Sequence, residues 1–271
     1  MLKYLLAFLL VTNALASFSQ SYEKEYEAQF AWEVKQINEF IERFNNSDTT
    51  LIKQYYQKHD PSKILTREKL IKSLFNAQRK DWNFADIQSF IKTADNKEHP
   101  AYLDFFKDNW YAKVNCAVNW KGRAENAVLT LTLKKLPNNT FKWVIASANT
   151  SFLADVNVGD KAQSIIKIPA PTDNTTALNP MSHATDFMGI DKVSSDKVNI
   201  ANYFQDQDKC TPETQQFIHE CFNGHLKILR ANTVTYNFMQ IKGWNIEIQQ
   251  FNRPDKNSGW LISKLTKTFS D

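Results

Sequence analysis

The sequence is poor in cysteine and in glycine, and each shortage excludes a class of protein. It has three cysteines and six glycines among 271 residues. A small secreted domain that is held together by disulfides needs more cysteines than this. The low glycine content, together with 13% aromatic residues, is typical of a well-packed globular chain and argues against intrinsic disorder.

A long apolar run and a cluster of basic residues are also missing. Charged or amide side chains interrupt each apolar stretch of the mature chain, well short of the roughly 20 residues that a transmembrane helix needs. The net charge is +4, and residues of both signs are spread along the chain. We therefore expect no transmembrane segment in the mature protein and no nucleic-acid partner.

The local motifs of the common catalytic and cofactor sites are absent too. The chain contains no G-x-S-x-G elbow, no glycine-rich phosphate loop and no C-x-x-C pair. His219 and His225 are six residues apart, whereas a zinc-binding helix needs two histidines at i and i+4. His225 instead falls on an apolar helical stripe with Ile218, Cys221 and Leu229, which predicts a histidine of the core or its edge. We expect no metal site and no cofactor.

The N-terminus has the three parts of a secretory signal peptide. Lys3 supplies a positive charge, Tyr4–Val11 is a nearly unbroken apolar run, and Ala14-Leu15-Ala16 matches the pattern that signal peptidase cleaves. A retained membrane anchor is the alternative, but the apolar run is about half as long as a bilayer-spanning helix. We predict that residues 1–16 are removed and that the mature, soluble protein is exported to the periplasm or the extracellular space.

Apolar residues at helical spacing predict four helices in the first part of the mature chain. The first runs from Ser21 to Phe44 and buries a single stripe, which consists of Tyr26, Phe30, Val34, Ile37, Ile41 and Phe44. The second covers Thr49–Lys58, and the fourth covers Phe84–Thr93. The third begins at Thr66 and buries four residues, namely Leu70, Ile71, Leu74 and Phe75.

Alternating apolar residues then predict two antiparallel meanders of three strands each. The strands of the first meander are Tyr111–Trp120, Val128–Leu133 and Trp143–Ala146. A helix over Thr211–Arg230 precedes the second meander, whose strands are Val234–Ile241, Trp244–Phe251 and Trp260–Ile262. The predicted fold class is α+β, with N-terminal helices packed on a curved antiparallel meander.

The second half of the sequence repeats the order of a helical part followed by a three-stranded meander. Pro137 and Pro254 each stand six residues before a tryptophan, Trp143 in the first meander and Trp260 in the second. The repeat predicts two helix-plus-meander units, over residues 17–157 and 181–271, which are joined by a linker over residues 158–180. The alternative is that two unrelated meanders share the same pattern of turns and strands.

The three cysteines are predicted to be free thiols. Cys210 and Cys221 would lie about 16 Å apart along one helix axis, which exceeds the reach of a disulfide. Cys116 shares one face of a strand with Val114 and Val118, as a small buried side chain does. A disulfide between Cys116 and a cysteine in the second half of the chain is the alternative.

Three segments resemble uncharacterised exported proteins of Bacteroidetes-type bacteria: Ser17–Gln20 after the signal peptide, Trp32–Ile37, and Ile41–Asn45. The order of long helices followed by a curved meander resembles nuclear-transport-factor-2-like and cystatin-like α+β domains. This resemblance implies a conical pocket between helices and sheet, which such folds use for catalysis and for plain binding alike.

Two pairs of residues are candidates for a functional site. His183 and Asp186 would lie one turn apart on a short helix that Ser182 caps, and an aspartate so placed can orient an imidazole for general acid–base catalysis. Capping of the helix start is the other interpretation of these residues. Trp120 and Trp244 stand at strand ends, where their faces can stack on sugar rings of a ligand, with burial in the core as the alternative.

These features favour an exported protein that binds a small ligand or an envelope partner without catalysis. The second hypothesis is a hydrolase or isomerase with its site in the helix–sheet cleft and with His183 and Asp186 as acid and base. The third is a structural or assembly role. A pocket lined by convergent polar groups would favour catalysis, and a flat apolar patch would favour assembly.

Overall fold

The structure, a computed structural model, describes residues 25–153, 176–179 and 189–268. Within these residues the chain forms seven α-helices and one six-stranded antiparallel sheet, which confirms the α+β class. The predicted signal peptide and the candidate pair His183 and Asp186 lie outside the described residues. No helix of the described part is long and apolar enough to cross a membrane.

The chain divides into two compact units. The first comprises the chain up to Lys80 together with Phe251–Leu261, and the second comprises Asp81–Gln250 together with the residues from Ile262 onwards. The unit boundaries predicted from the sequence stay a prediction.

Four helices form most of the first unit. Helix α1 includes residues 25–32, and it is followed by α2 (Ile37–Phe44), α3 (Leu51–His59) and α4 (Arg67–Ser73). The hydroxyl of Thr66 accepts a hydrogen bond from the backbone N–H of Lys69 at 3.3 Å, as an N-cap does. The start predicted for this helix is therefore confirmed, and its four predicted core residues are all buried.

The single helix predicted from Ser21 to Phe44 is wrong, because the chain leaves the helical conformation at Val34. The N–H of Val34 donates to the carbonyl of Ser258 at 3.1 Å, and the N–H of Trp260 donates to the carbonyl of Val34 at 2.7 Å. Since these bonds form a short strand bridge, the backbone of Val34 is not available to a continuous helix.

The buried stripe predicted for that helix is correspondingly wrong at two of its six residues. Val34 and the apolar residues of α2 are buried, but Tyr26 is 71% exposed and Phe30 is 47% exposed. The side chain of Arg43, on α2, donates to the carbonyl oxygens of residues 31, 32 and 33 at 3.2, 2.8 and 3.4 Å. These carbonyls are the unpaired acceptors that every helix leaves at its C-terminus, so Arg43 stabilises the end of α1.

The second unit contains helices α5 (Phe84–Ala94), α6 (Lys192–Ser195) and α7 (Pro212–Phe222) and most of the sheet. The strands are β1 (Trp110–Trp120), β2 (Arg123–Lys135), β3 (Phe141–Asn149), β4 (Leu226–Phe238), β5 (Trp244–Phe251) and β6 (Gly259–Lys267). Their order across the sheet is β3-β2-β1-β4-β5-β6. The two predicted meanders therefore join through the antiparallel pair of β1 and β4.

The two faces of the sheet differ in polarity. One face presents buried apolar side chains, which include Val114, Val118, Ile246 and Ile248. The residues that alternate with them, such as Asn115, are mostly polar. An antiparallel sheet takes this pattern when only one face packs into a core.

The helix predicted over Thr211–Arg230 is too long by two turns. Helix α7 ends at Phe222, and Gly224 has a φ of 77°, which glycine adopts without strain at a helix C-terminus. Strand β4 begins at Leu226. His225 is therefore not on an apolar helical stripe, as predicted, but is exposed in the turn between α7 and β4.

The three cysteines are free and buried, which confirms the predicted thiols. Burial raises the pKa of the Cys116 thiol to about 12. Burial, with a smaller contribution from the neighbouring Glu220, also raises the pKa of Cys221. Since the thiolate is the reactive form, both side chains act as small apolar groups of the core.

Candidate functional site

A depression of about 430 Å³ lies at one end of the sheet, where the β1–β2 turn meets the turn between α7 and β4. Seven residues line it, and all belong to the second unit: Asn119, Lys121, Gly122, Gly224, His225, Lys227 and Leu229. Lys121 and Gly122 form one of its sides, and Gly224 and His225 form the other.

The β1–β2 side is a two-residue hairpin. Lys121 and Gly122 have φ values of 50° and 84°, and Trp120 pairs with Arg123 across the turn. Positive φ at both central residues is the geometry that a tight hairpin between twisted strands requires. The side-chain oxygen of Asn119 accepts a hydrogen bond from the N–H of Gly122 at 3.0 Å and holds the turn in place.

The other side is the C-terminal end of α7. The N–H of Gly224 donates to the carbonyl of Cys221, and the N–H of His225 donates to the carbonyl of Glu220, both at 3.0 Å. The carbonyl of His225 accepts from the N–H of Lys121 at 2.8 Å. This last bond ties the two turns together, so the sides of the depression are held by the backbone.

Glu220 contacts residues at the border of the depression and is 8% exposed. Its Oε2 accepts a hydrogen bond from the indole Nε1 of Trp120 at 2.9 Å. The same oxygen lies 3.4 Å from Nδ1 of His225 and 3.8 Å from Nζ of Lys121. A buried carboxylate needs such partners. In turn, Glu220 holds the side chains of Trp120, His225 and Lys121 at the border of the depression.

Lysine side chains surround the two glycines. Lys121 and Lys227 line the depression, and a Cβ placed on Gly224 would lie 2.7 Å from Nζ of Lys197. Within the described part of the chain, neither Lys197 nor Lys227 has a carboxylate in salt-bridge range. Within the described residues Glu220 is in salt-bridge range of Lys121 alone among these three lysines. The lysines at the depression therefore carry more positive charge than Glu220 offsets, and such a surface attracts anions.

The two candidate tryptophans lie beside opposite ends of β4. Trp120 pairs with Leu226, the first residue of β4. Phe238, the last residue of β4, pairs with Ile246, which is two residues from Trp244. Trp120 borders the site described above. Its ring packs against Phe152 with 5.3 Å between centroids.

Trp244 is only 4% exposed. Its ring lies 5.6 Å from that of Phe90 on α5 and 5.5 Å from Nζ of Lys267. It therefore belongs to the apolar core, and the structure does not bring it to the depression.

The sequence marked none of the residues that line the depression, nor Glu220 and Lys197, as candidates for a site. The positions of Gly224, His225 and Lys227 follow from the end of α7 at Phe222, and the Asn223-Gly224 pair was a signal for that end. No sequence signal connects Glu220 to Trp120, since the two are distant along the chain. Among the residues that the structure describes, no group of three or more metal-binding side chains occurs.

No protein-family model matches the chain, and neither a curated protein nor a solved structure does. The resemblance to nuclear-transport-factor-2-like and cystatin-like domains and to exported Bacteroidetes proteins therefore stays a prediction.

Proposed function

We propose that this chain is an exported, non-catalytic binding protein that takes a small anionic ligand, such as a carboxylate or a phosphate ester, in the depression beside Glu220. The observation that carries the proposal is that Lys121 and Lys227 line one concave surface and that Nζ of Lys197 lies next to Gly224 at its edge. The export rests on the predicted signal peptide over residues 1–16.

The geometry favours an anion for two reasons. Like-charged ammonium groups repel one another, and an anion placed between them relieves that repulsion. The carboxylate of Glu220 is buried and accepts a hydrogen bond from Trp120, so it is not free to neutralise Lys197 and Lys227. The backbone bond between Lys121 and His225 keeps the site formed before a ligand arrives, which lowers the entropic cost of binding.

Isothermal titration calorimetry with citrate and with inorganic phosphate tests the proposal. Lys227→Glu and Lys197→Glu should each weaken binding by about tenfold or more, because each replaces an attractive charge by a repulsive one. Lys242→Glu is the matched control, since Lys242 is also an exposed lysine of a Lys-Gly turn in the second unit. Added salt should weaken binding to the wild type.

Two outcomes would contradict the proposal. One is that neither anion binds at low ionic strength. The other is that Lys227→Glu and Lys197→Glu both bind as the wild type and the control do, which would make the two lysines ordinary surface residues.

We also infer that β1–β3 and β4–β6 are two copies of one structural plan. One common offset along the chain relates Pro137 to Pro254 and Trp143 to Trp260, and it also brings β1 onto β4. The order β3-β2-β1-β4-β5-β6, in which each meander runs outward from the centre, supports this inference. A crystal structure tests it: the two meanders should superpose with Leu129 on Ile246, and any other best register would contradict the duplication.

A further inference from the structure

The polar face of the sheet carries a line of cations that begins at the depression. Lys227 on β4 pairs with Asn119, and Arg230 pairs with Ala117. Lys113 is four residues before Ala117 on β1. Directly paired residues and alternate residues of one strand point to the same face. Lys227, Arg230 and Lys113 therefore share the polar face, where all three are exposed, and we call them the basic line.

A β-bulge places Arg230 in the basic line. Lys227 and Arg230 are three residues apart, so in a regular strand they would point to opposite faces. The register of β1 and β4 shifts between Ala117 and Val118, and this leaves Leu229 without a partner on β1. The extra residue reverses the alternation, as bulges do where a side chain is re-aimed. Without it, Arg230 would point into the apolar core.

The guanidinium of Arg230 is held by a residue of a second bulge. Asn232 is also skipped in the pairing of β4 with β1, and its Oδ1 accepts a hydrogen bond from Nε of Arg230 at 3.2 Å. A guanidinium has five N–H donors, and this bond occupies the one on Nε. The two terminal amino groups form a fork, which is the arrangement that binds an oxyanion through two parallel hydrogen bonds.

The charge of the basic line is not neutralised by the protein. Among the described residues, no carboxylate is in salt-bridge range of Lys113, Lys227 or Arg230. Glu247 on β5 is on the same face, but its Oε1 already accepts hydrogen bonds from two neighbouring side chains at 3.2 and 3.3 Å. The polar face of β1, β4 and β5 thus has three cations and one carboxylate, and such a surface attracts anions.

The basic line is too long for one small anion. Asn119, which pairs with Lys227, and Lys113 are six residues apart on β1. This separation corresponds to about 20 Å at the rise of a β-strand. A ligand that contacts all three cations must therefore be an extended chain with acidic groups along it.

We propose that the depression and the basic line together bind an acidic polysaccharide. One acidic sugar of the chain occupies the depression, and the following sugars extend over Arg230 towards Lys113. This inference rests on the anion site proposed above, and it names the class of ligand to which the anion belongs.

Neutral polar side chains between the cations fit the hydroxyls of such a ligand. Asn126 on β2 and Arg230 on β4 both pair with Ala117, so they stand on either side of its short side chain. Asn126 and Thr233 are exposed on this face. Amide and hydroxyl groups both donate and accept hydrogen bonds, as sugar hydroxyls do. The row therefore offers a charged fork for the acidic group and an amide for its neighbouring hydroxyls.

Other polyanions fit this surface less well. Single-stranded nucleic acid binds through aromatic side chains on which its bases stack, and Tyr111 is the one aromatic residue on this face of β1 and β4. An acidic protein partner would need an apolar centre of the interface. The residues between Arg230 and Lys113 on this face are instead small or polar, namely Asn115, Ala117, Thr233 and Thr235.

Isothermal titration calorimetry at matched ionic strength tests the proposal. The probes are citrate, an oligogalacturonate of ten units, a heparin decasaccharide and an oligothymidylate of ten nucleotides. One of the two oligosaccharides should bind about tenfold or more tightly than citrate and than the oligothymidylate, because several acidic groups on one chain bind together.

Two substitutions separate the basic line from the depression. Arg230→Gln and Lys113→Gln should each weaken binding of that oligosaccharide by about tenfold and leave citrate binding unchanged. Both side chains are exposed, so the melting temperature should stay the same. Lys264→Gln removes an exposed lysine of β6, the edge strand of the same sheet, and as the control it should bind every probe as the wild type does.

Three results would overturn the inference. The first is that citrate binds but neither oligosaccharide binds more tightly, in which case the anion site at the depression stands alone. The second is that Arg230→Gln and Lys113→Gln bind the oligosaccharide as Lys264→Gln does. The third is that the oligothymidylate binds as tightly as the oligosaccharides, which would assign the surface to nucleic acid or to any polyanion. If neither citrate nor an oligosaccharide binds, the proposed anion site fails and this inference fails with it.

Discussion

Gly259 lies directly against the backbone of Val34. Any Cβ on Gly259 would overlap the carbonyl group of Val34, and Gly259 has a φ of 84°. The contact lets the N–H of Trp260 reach the carbonyl of Val34 at 2.7 Å. The helical sequence before α2 is interrupted at this contact, so the absence of one side chain at Gly259 decides the path of the chain some two hundred residues earlier.

Gly259→Ala should therefore destabilise the protein by clearly more than about 1 kcal/mol, because the positive φ strains the alanine and its methyl group collides with Val34. Urea unfolding measures the change. Gly122→Ala is a close control, since Gly122 has the same φ but nothing within 4 Å of its added Cβ. Equal losses for the two variants would show that strain alone, and not the contact with Val34, sets the cost.

The hydrogen bond between Trp120 and Glu220 should contribute about 1.5–3 kcal/mol, because its acceptor is a buried carboxylate. Trp120→Phe removes the donor and should lower the free energy of unfolding by that amount. Trp32→Phe makes the same change in a tryptophan whose indole N–H has no hydrogen bond within the described residues. A double-mutant cycle with Glu220→Leu isolates the pair, because leucine cannot accept the indole N–H, and a coupling energy near zero would contradict the role given to Glu220.

Arg43 should be needed for the end of helix α1. It is 3% exposed, and burial lowers the pKa of its guanidinium to about 10, still well above neutral pH, so the group remains charged. Arg43→Met removes the donor to the carbonyls of residues 31, 32 and 33 and should cost more than about 2 kcal/mol. Unfolding in guanidinium chloride measures the loss of stability in Arg43→Met, and Arg230→Met, at an exposed position, is the control. Similar losses in both variants would show that the three bonds are not stabilising.

The surface carboxylate of Asp206 should make the free energy of unfolding depend on pH in the acidic range. Hydrogen bonds from Lys134 and Lys209, at 2.7 and 3.0 Å, lower the pKa of Asp206 to about 2, below the value of about 3.9 for an unfolded chain. The folded state therefore binds this proton less readily, so the contribution of Asp206 is complete above pH 5 or so and is lost as the pH falls towards 2.

Asp206→Asn should accordingly lower the melting temperature at pH 7 but not at pH 2. The effect should be small and should shrink with added salt, because the group is on the surface. Asp208→Asn, two residues away in the chain, is the control. A difference between Asp206→Asn and the wild type that stays constant from pH 7 to pH 2 would exclude the ion pairs as its cause.

Features coded by neighbouring residues were predictable from the sequence. Thr66 caps α4, Lys121-Gly122 forms the hairpin, and Cys116 is buried, all as the local pattern indicated. The prediction for α7 was too long for a local reason as well, because apolar residues continue at helical spacing past Gly224, at which the helix has already ended.

Features that depend on distant segments were not predictable. The break at Val34 follows from backbone bonds to Ser258 and Trp260, and the burial of Glu220 under Trp120 follows from the pairing of β1 with β4. The position of Arg230 on the polar face has the same origin. Periodicity determines which residues form a strand and which face is apolar, because both depend on near neighbours. The register between strands sets which polar side chains meet on the other face, and register depends on packing across the whole sheet.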